Sequence, residues 1–140
     1  DDLQEIVAAW AADGAARKAL MEVGSAGGLA TILTGLGSLS YGELAGERIK
    51  LGLLLHDPEE EHDCFSDNTH NSHYYNQIGM LAIYTGEYKR VDGSTVSGAG
   101  LKDLAAAKHP AENDAILQRM LETKTAMQTM KDMADGGKMA

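Results

Sequence analysis

The sequence is poor in cysteine and in aromatic residues, and each shortage narrows the kind of protein it encodes. Its one cysteine, Cys64, rules out an internal disulfide and leaves the redox compartment open. Aromatic residues make up only 5% of the 140 residues, and most of the 44% apolar content is Ala, Leu, Ile and Met. These residues lose little entropy in helices. We therefore predict an all-α fold whose length suits a single domain, residues 1–140.

Basic residues are also scarce. Twelve Lys and Arg residues stand against 21 Asp and Glu residues, which gives a formal net charge of −9. Phosphate binding needs clustered basic side chains, so we predict no nucleic-acid partner and favour cations or basic partners. No apolar run approaches the roughly 18 residues of a membrane span, and the acidic start lacks a signal-peptide pattern. The chain is predicted to be soluble or to have lost a targeting segment.

Helical periodicity and turn signals predict a helical bundle with a small β-hairpin inserted between helices. The long third helix is apolar over too wide an arc for a surface helix, so we predict that it lies centrally in the bundle. Asp92-Gly93 predicts the tip of the hairpin. The predicted helices cover about residues 2–12, 15–22, 29–55, 67–86, 101–107 and the chain from Pro110 onwards.

Two further predictions concern how these helices begin and pack. Ser66 or Asp67 is predicted to cap the helix that ends near Gly86. The inner faces of this helix and of the last helix are predicted from their apolar residues, which are Tyr74, Tyr75, Ile78, Leu81 and Ala82 in the first and Ile116, Leu117, Met120, Leu121, Met127 and Met130 in the second.

The most informative segment is the acidic block, residues 59–70, which turns between two predicted helices. It holds five carboxylates, two imidazoles and the thiol, and it contains no Lys or Arg. Like-charge repulsion in such a segment destabilises the fold, which suggests a metal, a cation or a partner surface that offsets it. An acidic helix cap with a solvated loop is the simpler interpretation, and it stays open.

Spacing within the acidic block gives several ligand pairs. Glu59-x-x-His62 has the spacing found in di-iron bundles, although such centres need two copies of the motif. The pairs formed by Asp67 with His70, and by His70 with His73, have the same spacing and could complete a mononuclear site. His-Glu-x-x-His, the zinc-protease motif, is absent from the sequence. Cys64 is predicted to be a buried structural residue.

Three segments together carry a resemblance to a known family. They are residues 33–48, residues 79–86 and the run Glu-His-Asp-Cys-Phe-Ser-Asp-Asn-Thr-His at positions 61–70. With these segments the sequence resembles the imelysin family of bacterial envelope proteins, from about Leu3 through the last helix. The resemblance implies an all-α protein of two helical-bundle halves, connected with iron uptake. The family's Gly-x-His-x-x-Glu motif belongs to its N-terminal half and has no match here, so this chain is similar to the C-terminal half.

The resemblance also implies the candidate site and its surroundings. The metal candidates are Glu61, His62 and His70, with iron or another divalent metal as the cofactor. The ligand-binding candidates are Glu43, Glu47, Arg48, Ser66, Asp67, Asn68 and Thr69. The implied partners are the missing N-terminal half and iron-uptake components of the envelope. The implied location is periplasmic or associated with the outer membrane, with any lipid anchor outside this chain.

Three functional hypotheses follow. The leading one is a binding protein in which Glu47, His62, Asp67 and His70 line or support a ligand or metal site. The second is an imelysin-type metallopeptidase whose metal motif lies in the missing half. The third is a purely structural half, in which the acidic block only joins the two bundles.

Overall fold

The computed structural model describes residues 1–138, and helices dominate this part of the chain. It confirms the predicted all-α class with one small antiparallel hairpin. The elements, in chain order, are α1 (Asp2–Trp10), α2 (Ala15–Glu22), α3 (Gly24–Gly37), a π-helical segment (Ser38–Lys50), α4 (Leu51–Leu55), a 3-10 turn (Pro58–Glu60), α5 (Thr69–Thr85), β1 (Glu87–Lys89), β2 (Thr95–Ser97), α6 (Leu101–Lys108) and α7 (Pro110–Asp135).

Contacts within the chain group it into two compact units. The first unit is Asp1–Gly46 and the second begins at Glu47. The prediction of a single domain over residues 1–140 stays a prediction.

The first unit contains α1, α2, α3 and most of the π-helical segment. Asp1 caps α1, because its carboxylate accepts a hydrogen bond from the Leu3 N–H at 3.4 Å. α2 packs against both α1 and α3. The apolar residues of α1 nevertheless lie in solvent, and Leu3 and Val7 are each 72% exposed. Little of this unit's apolar surface is therefore buried within the described residues.

The long third helix differs from the prediction in two ways. It begins at Gly24, and α3 continues into the π-helical segment and α4 before His56 ends it in a left-handed conformation, with φ of 52°. The prediction that it lies centrally is wrong, because Leu53 is 68% exposed and only Gly28 and Leu44 are buried along its length. A wide apolar arc shows that a helix has apolar surface, but it does not show that another element covers that surface.

The second unit has its core between α5 and α7, with α6 packed against both. Met80, Tyr84 and Met127 are the buried apolar residues of this core. Polar groups join the helices: the Gln77 side chain donates to the Met120 carbonyl at 2.7 Å, and the Tyr84 hydroxyl donates to Asn113 Oδ1 at 3.0 Å. Specific hydrogen bonds therefore fix how α5 and α7 are aligned.

The predicted inner faces of α5 and α7 are only partly right. The buried stripe of α5 is His73, Gln77, Met80 and Tyr84, whereas Tyr75 is 60% exposed. On α7 Met127 is buried, but Ile116 and Leu121 are each 46% exposed. The error has a physical cause: two polar residues, His73 and Gln77, occupy inner positions that hydropathy assigns to the surface.

The hairpin follows α5 directly and closes at the predicted tip. Tyr88 pairs with Val96, and the Ser94 N–H donates to the Asp92 carboxylate at 2.8 Å in the turn. Gly86 ends α5 with a left-handed φ of 72°, and a Cβ at this position would lie 2.5 Å from the Gly98 carbonyl oxygen. Only glycine fits this conformation and this approach together.

Within residues 1–138, no single helix is both long and apolar enough to cross a bilayer. Only a bent pair of helical stretches, Asp2–Glu22 with Gly24–Leu55, reaches the required length and composition.

Candidate functional site

The acidic block connects α4 to α5 through consecutive tight turns. Its first turn is capped by Asp57, whose carboxylate accepts a hydrogen bond from the Glu59 N–H at 3.0 Å. Pro58 stands at the first position of this 3-10 turn, where a missing N–H has no cost. Glu59 and Glu60 consequently project into solvent at the start of the block.

Asp63 organises the rest of the block through four hydrogen bonds. Its backbone N–H donates to Thr69 Oγ1 at 3.0 Å, and its carboxylate accepts a short hydrogen bond from the Ser72 hydroxyl. Its carbonyl oxygen accepts from the backbone N–H of Ser66 at 3.0 Å and from the Ser66 hydroxyl at 3.3 Å. Asp63 therefore holds the loop against the first turn of α5.

The cap of α5 is not the predicted one. Asn68 occupies the N-cap position, and its side chain accepts a hydrogen bond from the Asn71 side chain at 2.9 Å instead of capping a backbone N–H. Asp67 has a left-handed φ of 50°, so the chain turns sharply before the helix begins. The prediction of Ser66 or Asp67 as N-cap is wrong, because the connections from Thr69 and Ser72 to Asp63 already fix the start of the helix.

Two imidazoles of this region lie side by side. The rings of His62 and His73 are stacked, with 6.0 Å between centroids and 22° between planes. His62 is exposed, whereas His73 is only 3% exposed. The Nε2 atom of His73 is buried and has no hydrogen-bond partner among the described residues. A buried ring nitrogen without a partner is uncommon and destabilises the fold unless something binds it.

The surroundings of His73 lower the pKa of its ring and so favour the neutral form. Burial is the largest of the effects that lower the pKa of His73 below the usual 6.5, followed by the charges of His62 and Arg48. The carboxylates of Asp63 and Glu61 act in the opposite direction and raise the pKa. A neutral imidazole keeps a nitrogen lone pair, which is the form that binds metal ions.

His70 contacts the C-terminal end of α7. Its Nε2 lies 3.3 Å from a carboxylate oxygen of Asp135, near the end of α7, and 3.1 Å from the Asn71 side-chain nitrogen. Lys131 forms an ion pair with the same carboxylate. The effect of these contacts is to tie the first turn of α5 to the last turn of α7.

The predicted metal residues therefore have different neighbours. Glu61 and His62 both lie close enough to His73 to influence its pKa, whereas His70 faces Asp135. Within residues 1–138, no group of three or more His, Cys, Asp or Glu side chains is placed to hold one metal ion. The assignment of Glu61, His62 and His70 as metal ligands stays a prediction.

The other candidates are distributed over the two units. Glu43 is exposed and belongs to the first unit, so its part in the predicted site stays a prediction. Arg48 is half-buried in the second unit, and its charge reaches His73. Thr69 is half-buried and holds Asp63, whereas Glu47, Ser66, Asp67 and Asn68 are exposed. Cys64 is partly exposed, which corrects the prediction that it is buried.

The sequence analysis missed the roles of two residues at the candidate site, Asp63 and His73. Asp63 was given no role, although an Asp three residues before a Ser is typical of a turn, and the structure shows the Ser66 hydroxyl bonded to the Asp63 carbonyl. His73 entered only as a spacing partner of His70, because a histidine after a polar helix start gives no sign of burial. Its neighbour is in fact His62, eleven residues earlier.

Comparison with known proteins agrees with the resemblance. No curated protein matches the chain. The family model described as Imelysin, which carries the designation Peptidase M75, matches residues 1–139. Because the match covers almost the whole sequence, including the acidic block and α5, the chain belongs to the imelysin family.

Proposed function

We propose that this chain is half of an imelysin-type envelope protein of iron uptake, and that it helps to bind iron or an iron-related ligand. Imelysin family members are generally bacterial envelope proteins, which supports the proposed location in the periplasm or at the outer membrane. The proposed partners are the N-terminal half and iron-uptake components of the envelope.

The observation that carries the proposal is the defined shape of the acidic block. Five carboxylates with no Lys or Arg among them would repel one another in a disordered loop. Here the Asp63 hydrogen bonds to Thr69, Ser66 and Ser72 fix the loop against α5. Negative charge held in a fixed arrangement attracts cations, and a bound cation relieves the repulsion.

The donor types of the region are those that iron sites use, although within residues 1–138 no three of them are placed around one point. Carboxylate oxygens from Glu61 and Asp67 and imidazole nitrogens from His62 and His70 are the ligand types found at iron and zinc sites. The unpartnered Nε2 of His73 adds another nitrogen of this kind. When bound, the metal would supply a positive centre for an anionic ligand, and donors from the other half would complete its coordination.

Each remaining candidate has a proposed part that suits its chemistry. Glu47 and Asp67 are proposed to contribute negative charge near the bound ligand, and Glu43 is proposed as a further carboxylate. Arg48 provides a guanidinium that suits an anionic ligand group. Ser66, Asn68 and Thr69 offer hydroxyl or amide groups for hydrogen bonds, and Thr69 also positions Asp63.

Titration calorimetry tests this proposal directly. Fe(II), Fe(III) and Zn(II) are titrated into the 140-residue chain and into a His62→Ala/His70→Ala double variant. A His56→Ala/His109→Ala double variant is the matched control, because both of its histidines are exposed and lie outside the acidic block. Saturable binding near one equivalent that only the first double variant loses is the expected result. Equal binding by all three proteins contradicts the proposal.

The family designation as a peptidase favours one alternative, a metallopeptidase assembled from both halves. The intact two-half protein distinguishes the two functions. Hydrolysis of a peptide substrate that a chelator stops would support the enzyme. Stoichiometric iron without turnover would support the binding protein. A lower melting temperature of the His62→Ala/His70→Ala variant, without any change in affinity, would support a structural role for the block.

A further inference from the structure

The geometry points to a weak two-fold dimer of this chain, in which the outer face of α7 packs antiparallel against the same face of a second copy. This inference goes beyond the proposed function and does not involve the acidic block. The outer face of α7 is defined by six residues, which are Asp114, Leu117, Gln118, Leu121, Glu122 and Thr125.

The outer face of α7 forms an open apolar groove with a volume of about 440 Å³, and all of its lining residues belong to this one helix. At its centre lie Leu117, which is half-buried, and Leu121, which is 46% exposed. These two side chains are four residues apart, so they are neighbours on one side of the helix. An exposed apolar stripe with polar side chains at its edges is typical of a protein–protein contact.

The two leucines are complementary to themselves under two-fold symmetry. We consider two antiparallel α7 helices whose symmetry axis passes at the level of Arg119. In this register Leu117 lies opposite Leu121 of the second copy, and Leu121 lies opposite Leu117 of the second copy. A single two-fold operation therefore buries both leucines of both copies, as in the isologous interfaces of most homodimers.

Charge identifies a second copy as the occupant. The same register places Asp114 opposite Lys124 of the second copy, and Lys124 opposite Asp114 of the second copy. Within residues 1–138, neither side chain forms an ion pair in its own chain. A parallel pairing would instead bring like charges together. The antiparallel register is therefore the one that complementary charges select.

The local charge balance also matters because the whole chain carries a formal net charge of −9. Two copies repel each other at long range, so they can associate only through a face whose own charges nearly cancel. On this side of α7, Glu122 is paired with Arg119, and Asp114 is offset by Lys124 of the second copy. The outer face of α7 meets this condition, whereas the acidic block does not.

The size of the contact makes the dimer weak. The stretch from Asp114 to Lys124 is about 16 Å long at 1.5 Å per residue, and a helix is about 10 Å wide. A contact of this size buries less than the roughly 1,200–2,000 Å² of stable complexes. We therefore expect a dissociation constant on the order of 100 µM.

Sedimentation equilibrium of the 140-residue chain tests the inference, at concentrations from about 0.02 to about 1 mM. Leu121→Gln and Asp114→Lys should each weaken dimerisation by about tenfold or more. Ile116→Gln is the matched control, because Ile116 is also 46% exposed but does not line the groove. The exchange variant Asp114→Lys/Lys124→Asp should regain the native affinity, because it restores both opposite-charge pairs. Circular dichroism checks that every variant keeps the native helix content.

Each result either supports or overturns the inference. A native chain that stays monomeric at about 1 mM would overturn it and leave metal binding by the acidic block untouched. A dimer that Ile116→Gln weakens as much as Leu121→Gln would lie on another face. A dimer that Asp114→Lys weakens and the exchange variant does not restore would not have the antiparallel register.

Discussion

The two units of the chain use similar helices but differ in what those helices bury. In the first unit, α1 carries a regular apolar stripe that lies in solvent, with Leu3 and Val7 each 72% exposed. In the second unit, α5 has a partly polar inner stripe, and that stripe is buried against α7. The comparison teaches that helical periodicity identifies a face, whereas burial depends on whether a neighbouring element covers it.

The difference also determines where stability resides. Apolar side chains that stay in water contribute almost nothing to the free energy of unfolding. The second unit instead combines buried Met80 and Met127 with the Gln77 and Tyr84 hydrogen bonds. Its polar groups are paired across helices, and such pairs favour one alignment of α5 and α7 over others. We therefore expect the second unit to be the more stable part of the chain.

The largest expected contrast comes from truncating an apolar side chain in each unit. Met80 is 4% exposed, so Met80→Ala should lower the free energy of unfolding by about 2–5 kcal/mol. Val7→Ala in α1 removes a side chain that is already in solvent and should change stability by less than about 0.5 kcal/mol. Urea unfolding followed by circular dichroism measures both. Similar losses in the two variants would break the comparison.

A second contrast lies within the second unit, between two glycines with left-handed φ. At Gly86 a Cβ would lie 2.5 Å from the Gly98 carbonyl oxygen, whereas at Gly93 it would meet nothing within 4 Å. Gly93→Ala should therefore lower the free energy of unfolding only by the cost of a left-handed φ for alanine, roughly 1 kcal/mol. Gly86→Ala adds a backbone clash and should lose about 2–4 kcal/mol. Thermal unfolding of both variants gives the difference, and equal losses would contradict the close packing of the hairpin against the end of α5.

Hydrogen exchange sharpens the comparison of the units without any substitution. Amides in the middle of α5 open only when the α5–α7 packing is lost, whereas α1 has no buried residue to hold it. We expect the α5 amides of residues 78–81 to be protected roughly 100-fold more than those of residues 6–9 in α1. Residue-resolved exchange by NMR measures both sets in one sample. Equal protection would show that the units unfold together.

Most of the secondary structure was predictable because its signals are local. α2 has the predicted bounds, Pro110 begins α7, Gly86 ends α5 and Asp92-Gly93 forms the hairpin tip. These signals depend on the backbone preferences of a few neighbouring residues. The change of helix type at the π-helical segment Ser38–Lys50 was not predicted.

The contacts of the candidate site were less predictable, because they join residues that spacing rules do not relate. The pairing of His62 with His73, and of His70 with Asp135, depends on how the loop folds and how α7 crosses α5. A spacing of three residues along a helix correctly favours a common face but does not identify what faces it. Composition identified the acidic block, but only the structure shows that its two histidines, His62 and His70, have different neighbours.

The smallest expected effect concerns the Tyr84–Asn113 hydrogen bond of the second unit and its dependence on pH. Tyr84→Phe leaves the buried Asn113 Oδ1 without this donor and should cost about 1 kcal/mol near neutral pH. Burial, and to a lesser extent the charge of Asp114, raises the pKa of Tyr84 above its usual 10.0. As the pH rises through 10.0, the unfolded chain releases this proton before the folded chain does, so the native protein loses stability that the variant does not lose.

The advantage of the native protein over Tyr84→Phe should therefore be largest below pH 10.0 and shrink above it. Urea unfolding at about pH 8 and about pH 11 measures the two gaps. Tyr75→Phe is the matched control for loss of a tyrosine hydroxyl, because Tyr75 is 60% exposed. A gap for Tyr84→Phe that stays constant would mean that the folded and unfolded chains hold this proton equally well. The buried Tyr84–Asn113 hydrogen bond between α5 and α7 would then add no pH-dependent stability to the second unit, and in this respect the unit would not differ from the solvent-exposed stripe of α1.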